Sequence, residues 1–241
     1  MPDILEPVFR SDVTVQLVKH SADDAHVLWS ARVSTQGEQS LDQIGADPER
    51  SKGLINYLMR DRHGSPFEAA SMTFFVSAPI FVFREFMRHR TWSFNEESGR
   101  YRELGPVFYI PGPDRRLVQE GKPGHYQFAA GTTEQHQLVD EVMTGAYRQA
   151  YDAYRKMLAA GVAREVARSV LPVGLFSSAY ATCNARSLMH FLGLRTTHPD
   201  AKVKSSPQRE IEMVAEQMEA AWAGLMPLTH AAFNTNGRIA P

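Results

Sequence analysis

One segment of the sequence concentrates side chains that bind anions and flat rings. It runs from residue 88 to residue 101 and holds three arginines, a histidine, an asparagine, two glutamates and a tyrosine. Guanidinium groups offer planar forks that match phosphate or carboxylate. The imidazole and phenol rings can stack on a heterocycle, and Gly99 lets the backbone come close to a ligand. This set fits an anionic ligand with an aromatic, hydrogen-bonding ring, and a nucleotide is such a ligand.

The same segment resembles the signature of flavin-dependent thymidylate synthases, Arg-His-Arg-x-x-Ser-x-Asn-Glu-x-Ser-x-Arg-Tyr. Every fixed position is filled here, by Arg88, His89, Arg90, Ser93, Asn95, Glu96, Ser98, Arg100 and Tyr101. A fixed pattern of this length is very rare by chance. The competing interpretation is a single-stranded nucleic-acid-binding module, in which Trp92, Phe94 and Tyr101 form a stacking platform beside the arginines.

The charge balance of the 241 residues argues against a general nucleic-acid binder. The chain has 26 Lys plus Arg and 27 Asp plus Glu, which gives a formal net charge of −1. Binding to a nucleic-acid backbone is driven by neutralising phosphates, and it normally requires a basic excess. The arginine cluster therefore indicates a local site. A nucleotide-binding protein that has lost catalysis remains a third interpretation.

Three further segments resemble elements of the same family, in the same order along the chain. Residues 63–68 resemble a His-x-Thr/Ser-Pro-Phe-Glu element that lines the flavin, so Ser65 is a candidate flavin contact. Residues 163–172 resemble an element whose arginine contacts the nucleotide, which implies that role for Arg168. Residues 184–195 resemble the pattern Asn-x-Arg-Ser-x-x-x-Phe-x-x-x-Arg.

The resemblance implies a complete set of site residues. The implied cofactor contacts are Ser65, Arg88, His89, Arg90, Glu96, Asn184, Arg186 and His190. The implied substrate contacts are Arg88, Glu96, Ser98, Gly99, Arg100, Arg168 and Arg195. The implied catalytic residue is Arg195, whose guanidinium would stabilise the negative charge that builds on the uracil ring.

The resemblance also implies the reaction, which is reductive methylation of dUMP to dTMP. Methylenetetrahydrofolate would donate the carbon, NADPH would be the reductant, and FAD would carry the electrons, since side chains cannot deliver a hydride. The family assembles as homotetramers with shared active sites. We expect no metal site, because no His-x-x-x-His pair with a carboxylate is present.

Two residues need separate interpretation. Cys183, the single cysteine, has no lysine or arginine within two positions to lower its pKa, so we expect a packed residue and not a nucleophile. Glu85 lies three residues before Arg88, and an ionised carboxylate would repel a phosphate there. We therefore place Glu85 low among the candidates.

Capping residues and apolar stripes predict the elements that position these side chains. Helix starts are predicted at Asp47–Pro48, at Thr132 with Gln135, at Asn184 and at Ser206–Pro207, with another opened by Ser21 and Asp24. Helical stripes are predicted at Met143, Tyr147, Ala150, Tyr154 and Met157, and at Ile211, Val214, Met218, Trp222 and Leu225. The signature should begin on a helix from Ile80 to about His89 and continue into an irregular segment.

These elements predict an α+β fold in which long helices surround a small mixed or antiparallel sheet. Residues 1–241 should form a single domain with surface loops at about 111–131 and 196–207. The single cysteine and the absence of a basic or apolar leader in residues 1–6 favour the cytoplasm.

Overall fold

The computed structural model describes residues 6–38, 44, 47–123 and 126–241. Residues 1–5, where the sequence predicts no leader, lie outside the described residues. The chain groups into two compact units, of which one comprises Met1–Val13, Ser77–Phe83 and Glu96–Ser178 and the other Thr14–Val76, Arg84–Asn95 and Ala179–Pro241. The predicted α+β class is confirmed, whereas a single domain over residues 1–241 stays a prediction.

The described helices and strands follow one another without internal repetition. The strands are β1 (Val8–Arg10), β2 (Thr14–Ser21), β3 (Ser71–Pro79), β4 (Ser93–Glu96), β5 (Val107–Tyr109), β6 (Val118–Glu120), β7 (Gln127–Ala129) and β8 (Phe176–Asn184). The helices are α1 (Asp24–Gln36), α2 (Pro48–Arg60), α3 (Ile80–Phe86), α4 (Thr133–Ala159), α5 (Arg164–Ala167), α6 (Ala185–Arg195), α7 (Arg209–Leu225) and α8 (Pro227–Thr235). In the part of the chain that the structure describes, 3-10 turns occupy Ser65–Glu68 and Arg168–Val170.

The strands form one larger sheet and two small ones. The four-stranded sheet has the order β2–β3–β8–β4. Strands β1 and β5 pair in parallel with Phe9 opposite Phe108, and β6 and β7 pair antiparallel with Gln119 opposite Phe128. The predicted loop at 111–131 is therefore corrected, because it contains the β6–β7 hairpin, while residues 196–207 contain neither helix nor strand.

In the first unit, helix α4 packs its aromatic stripe into the core. Thr132 and Gln135 form the predicted capping box at its start. Tyr147 and Tyr154 are buried as the stripe predicts, and Tyr147 stacks on Phe108 with ring centroids 4.9 Å apart. Tyr151, which the stripe missed, is also buried. These large rings fix one face of α4 and hold the segment that follows it, which carries Arg168.

In the second unit, helix α7 buries Ile211, Val214, Met218 and Trp222 of the predicted stripe, whereas its fifth member, Leu225, is only partly buried. Two predicted helix starts and one predicted helix end need correction. Asp23, and not Ser21, caps α1, because its carboxylate accepts from the backbone N–H of His26. Helix α7 begins at Arg209 after Gln208, and not at Pro207, and α3 ends at Phe86. Asp47 with Pro48 starts α2 as predicted.

The second half of the signature is more ordered than the sequence suggested. Residues 93–96 form β4, where an irregular segment was predicted. Phe94 packs edge-on against Phe86 at 4.9 Å, and Trp92 is only 7% exposed and packs against the same ring. Since Trp92 is buried and Phe94 lies against Phe86, these two rings do not form the exposed stacking platform that the nucleic-acid interpretation requires.

Candidate active site

The first unit carries an exposed pair of arginines beside a tight turn. Arg100 and Arg168 are both exposed, and Arg168 has no side-chain hydrogen bond to the described residues. Arg100 Nε donates to Glu165 Oε2 at 3.1 Å, and both of these side chains are about half exposed. An exposed ion pair of this kind contributes about 0–1 kcal/mol. An incoming phosphate could therefore replace Glu165 at little cost.

Gly99 explains how Arg168 comes to lie beside the signature. A Cβ at this position would stand 2.8 Å from Leu104 Cδ1 and 3.2 Å from Arg168 Cδ. Glycine thus lets the Arg168 side chain cross the turn that contains Ser98 and Arg100. The sequence predicted that a ligand would approach the backbone closely at Gly99. In the structure, the side chains of Leu104 and Arg168 make that close approach. In this unit the structure brings together Ser98, Gly99, Arg100 and Arg168.

Glu96, at the end of β4, is held by a neighbouring strand. Ser177 Oγ on β8 donates to Glu96 Oε1 at 2.6 Å. The adjacent Ser178 Oγ donates to Glu97 Oε1 at 3.1 Å. These two hydrogen bonds fix the direction of both carboxylates, and the sequence pattern did not indicate either serine.

In the second unit, Arg195 is the last residue of α6 and its guanidinium is fixed from two sides. Its Nη1 donates to Glu85 Oε2 at 2.8 Å, and its Nε donates to His89 Nε2 at 3.2 Å. The Arg195 and Glu85 side chains are 20% and 30% exposed, so this pair is better shielded than Arg100–Glu165. The structure thus presents a positioned cation that remains accessible to a ligand.

His89 is held in its neutral form beside this cation. Burial, followed by the positive charges of Arg195 and His190, lowers the pKa of His89 from 6.5 to about 4. A neutral imidazole can accept the Arg195 hydrogen bond at Nε2, which a protonated ring cannot do. The ring of Phe191 packs edge-on against His89 at 4.9 Å and contributes to the burial.

This depressed pKa predicts how the folding stability depends on pH. Between pH 6.5 and about 4 the unfolded chain binds a proton at His89 and the folded chain does not. The contribution of His89 to stability is therefore constant above pH 6.5 and falls as the pH falls toward 4. Urea unfolding of wild type and His89→Gln across this range measures the difference. Parallel curves for the two proteins would contradict the assignment.

Glu85 was placed low among the candidate site residues from the sequence, but in the structure it belongs to this cluster. Its carboxylate accepts a hydrogen bond from Arg195 Nη1, and only the fold could reveal that pairing. We expect Glu85→Gln to retain kcat/KM within about tenfold, because the amide oxygen still accepts from Nη1. Glu85→Ala should lose more than Glu85→Gln, since it leaves the guanidinium held on one side only. Equal losses in steady-state kinetics would contradict this positioning role.

Arg88 and Arg90 lie in the turn that follows α3, and both are exposed. Neither side chain has a hydrogen-bond partner among the described residues. The turn is defined by backbone hydrogen bonds from Arg88 N to Glu85 O and from His89 N to Phe86 O. Both guanidiniums are therefore available to an anionic ligand.

The N-terminal half of α6 carries a second cluster around Arg186. Its Nη1 donates to Glu68 Oε1 at 2.6 Å, and its Nε donates to the Pro241 carbonyl at 2.7 Å. Its Nη2 has no partner among the described residues, and the side chain is 39% exposed. Partial burial of the His190 ring, followed by the positive charges of Arg186 and Arg62, lowers the pKa of His190.

Asn184 and Ser65 flank this cluster in different ways. Asn184 Oδ1 accepts from the Ser187 backbone N–H at 2.8 Å, which confirms it as the N-cap of α6. Its side-chain amide nitrogen is the group left for a ligand. Ser65 is exposed at the start of the 3-10 turn that carries Glu68. The two units thus hold separate sets of predicted residues, and their convergence on one ligand stays a prediction.

Cys183 is a packed residue, as predicted. It is 4% exposed, and burial raises the pKa of its thiol well above the usual range. Its thiolate, the nucleophilic form, is therefore scarce at neutral pH. We expect Cys183→Ala to retain FAD binding and most of the activity. Full loss of activity with FAD still bound would show that Cys183 takes part in the chemistry.

The chain also matches known proteins along most of its length. Residues 16–228 match the family described as thymidylate synthase complementing protein. A flavin-dependent thymidylate synthase of Streptomyces avermitilis is 77% identical over 240 residues, which cover 99% of this chain and 98% of the relative. The chain belongs to the flavin-dependent thymidylate synthase family. A relative of this family from Tropheryma whipplei (strain TW08/27) is 57% identical and covers 99% of each chain.

Two solved structures also resemble this chain over nearly its whole length. PolB from Streptomyces cacaoi, described as a UMP/dUMP methylase, was crystallised with 5-Br UMP and with 5-Br dUMP. The first structure is 58% identical, covers 98% of this chain and 99% of that chain, and has a TM-score of 0.90. The second is 59% identical, covers 97% and 100%, and has a TM-score of 0.91. The family match over residues 16–228 extends beyond both ends of the four resembling segments, which lie between residues 63 and 195.

The described residues show neither a metal-binding cluster nor a membrane-spanning helix. Histidine, cysteine, aspartate and glutamate form no group of three placed to hold a metal ion in the described part of the chain. Among the helices described, none is both long and apolar enough to span a membrane.

Proposed function

We propose that this chain catalyses the reductive methylation of dUMP to dTMP with methylenetetrahydrofolate, NADPH and FAD. The observation that carries the proposal is the Arg195 guanidinium, which Glu85 and neutral His89 hold at the end of α6. The second support is Cys183. Its thiol is buried and has a raised pKa, so the nucleophilic thiolate is scarce at neutral pH. A fixed cation and an inert thiol suit a reaction in which the ring is activated by charge stabilisation.

The residues around α6 fit an anionic, planar cofactor such as FAD. A Cβ at Gly64 would stand 2.5 Å from Arg186 Nε, so glycine is needed for the Arg186 side chain to lie there. Arg186 then offers Nη2 to an anion. When bound, FAD supplies the hydride chemistry that side chains cannot perform. We assign cofactor contacts to Ser65, Arg88, His89, Arg90, Glu96, Asn184, Arg186 and His190.

The residues of the first unit suit the nucleotide substrate. Arg100 and Arg168 are exposed guanidiniums beside Ser98 and Gly99, and they can bind a phosphate dianion. Arg88 and Glu96 would contact the nucleotide as well. Arg195 would donate hydrogen bonds to the uracil ring and stabilise the negative charge that develops there, as an oxyanion-hole donor does.

We further propose that the protein acts as a homotetramer with shared active sites in the cytoplasm. The family resemblance suggests the assembly, and the single cysteine and the nucleotide substrate suit a reducing compartment. Sedimentation velocity on the purified holoenzyme measures the assembly directly. A monomer at working concentration would contradict this part of the proposal.

Tritium release tests the proposed reaction most simply. The purified protein should be yellow with bound FAD, and it should release tritium from uracil-5-labelled dUMP only when methylenetetrahydrofolate and NADPH are supplied. Labelled UMP is included as a second substrate, since PolB is described as acting on both. A yellow protein that binds dUMP without tritium release would indicate a binding protein that has lost catalysis. A colourless protein that binds single-stranded nucleic acid would contradict the proposal.

A further inference from the structure

Residues 238–241, called here the strap, lie along α6, the helix that carries Arg186 and Arg195. At the C-terminal end of α6, Arg238 Nη2 donates to Oγ1 of Thr196, the residue that follows Arg195, at 2.8 Å. A Cβ at Gly193 would stand 2.9 Å from the Arg238 carbonyl. At the other end the Pro241 carbonyl accepts from Arg186 Nε at 2.7 Å. The strap therefore contacts both ends of the helix.

The strap is buried and tied down along its length. Arg238 is 3% and Ala240 6% exposed. The Ala240 carbonyl accepts from Arg62 Nη1 at 2.5 Å. Arg238 also donates to both oxygens of Glu219, at 2.6 and 2.7 Å. These contacts hold the backbone of the strap in place, so the Pro241 carbonyl can act as a fixed acceptor for Arg186.

The backbone is unusual at two positions that hold the strap. Among the described residues, the only non-glycine residues with positive φ are Arg62, at 65°, and Arg238, at 57°. The left-handed region is unfavourable for side chains with a Cβ, and such residues persist where the surroundings or the function require them. Arg238 is the first residue of the strap, and Arg62 donates a hydrogen bond to the Ala240 carbonyl within it. Both strained positions are therefore part of the strap or in contact with it.

We propose that the strap positions the Arg186 guanidinium for the flavin. Glu68 and the Pro241 carbonyl accept hydrogen bonds from Nη1 and Nε, which leaves Nη2 without a partner among the described residues. A guanidinium held on two sides loses less conformational freedom when it binds an anion, so the bound state is favoured. This role rests on the proposed FAD-dependent function.

A variant that ends at Ile239 tests the inference, because it lacks the carbonyls of Ala240 and Pro241. The measurement is the FAD dissociation constant of the apoprotein, from the change in flavin fluorescence on titration. We expect the constant to rise about tenfold, the loss of roughly one hydrogen bond to a charged group. Asn236→Ala is the matched control, since Asn236 binds Asn56 and lies outside the strap. It should leave the FAD constant unchanged.

A double-mutant cycle separates positioning from a general effect on stability. In an Arg186→Ala background, the truncation should change the FAD constant less than twofold, because the group that the strap positions is gone. An undiminished tenfold effect in that background would overturn the proposal. Tighter FAD binding by the truncated wild type would overturn it as well, since the strap would then compete with FAD.

The failure of this inference can be told from failure of the proposed function. If the wild type binds FAD and releases tritium from dUMP while the truncation leaves the FAD constant unchanged, only the strap proposal fails. If the wild type neither binds FAD nor releases tritium, the proposed function fails and the strap proposal fails with it. Thermal unfolding of each apoprotein, measured in parallel, identifies any variant that does not fold.

Discussion

Replacing Arg195 with alanine is expected to lower kcat by about 10²–10³-fold, which is the usual effect of removing one oxyanion-hole donor. Arg195 lies at the end of α6 with its Nη1 on Glu85 and its Nε on His89, so the guanidinium does not need to reorganise during the reaction. FAD binding should remain close to wild type, because Arg186 and the strap are untouched. Single-turnover oxidation of reduced flavin with dUMP and folate present measures the chemical step.

Arg195→Lys should recover only part of this loss. Lysine keeps the positive charge, but it lacks the planar fork that donates to Glu85 and to the substrate together. The expected order of kcat is wild type, then lysine, then alanine. Wild-type kcat in the alanine variant would remove Arg195 from the chemistry. Loss of FAD binding in both variants would indicate a structural role.

Replacing Arg238 with methionine is expected to cause the largest loss of stability, about 3–5 kcal/mol. The Arg238 side chain is 1% exposed and donates to Glu219, Asn234 and Thr196. Methionine fills part of the volume but leaves the Glu219 carboxylate without this partner in a poorly hydrated position. For a chain of this length the melting temperature should fall by roughly 10 °C.

The control for this prediction is Arg60→Met, which breaks an exposed pair with Asp61. Surface pairs contribute about 0–1 kcal/mol, so its unfolding midpoint should barely move. Urea unfolding of both variants and of wild type at neutral pH provides the comparison. Equal midpoints for the two variants would show that the Arg238 network does not stabilise the fold.

The Arg238 network should also respond to pH. Burial acts to raise the pKa of Glu219, but hydrogen bonds from Arg238 and His230 outweigh it and the net pKa is lowered from 4.5. The stability that this carboxylate contributes is therefore present above pH 4.5 and is lost as the pH falls through the lowered value. In Arg238→Met this acid-dependent loss should be smaller, because the main group that lowers the pKa is absent.

Local signals in the sequence were sufficient for the starts of α2, α4 and α6 and for the family, whereas the starts of α1 and α7 were placed at the wrong residues. Asp47, Thr132 and Asn184 cap helices because their side chains accept backbone N–H groups within three residues, and such short-range chemistry is legible in sequence. The signature and the three other elements identified the family for the same reason. Each is a contiguous run of residues.

Contacts between segments that are distant in the chain could not be predicted from the sequence. Glu85 reaches Arg195 across 110 positions, and Pro241 reaches Arg186 across 55. Strand β8, Phe176–Asn184, was missed because its alternation places alanine, serine and cysteine where larger apolar residues normally mark a buried face. The two units likewise each hold part of the predicted site, and no local pattern states how their residues combine.

A structure of the protein with FAD and dUMP bound is the most direct test of the central claim. We expect Arg100 and Arg168 to contact the phosphate, Arg195 to contact the uracil ring, and Arg88 and Arg186 to reach the flavin, in whichever combination of subunits forms the site. We also expect an unmodified Cys183. Guanidinium groups far from both ligands, or a bond between the Cys183 sulfur and the pyrimidine, would contradict it.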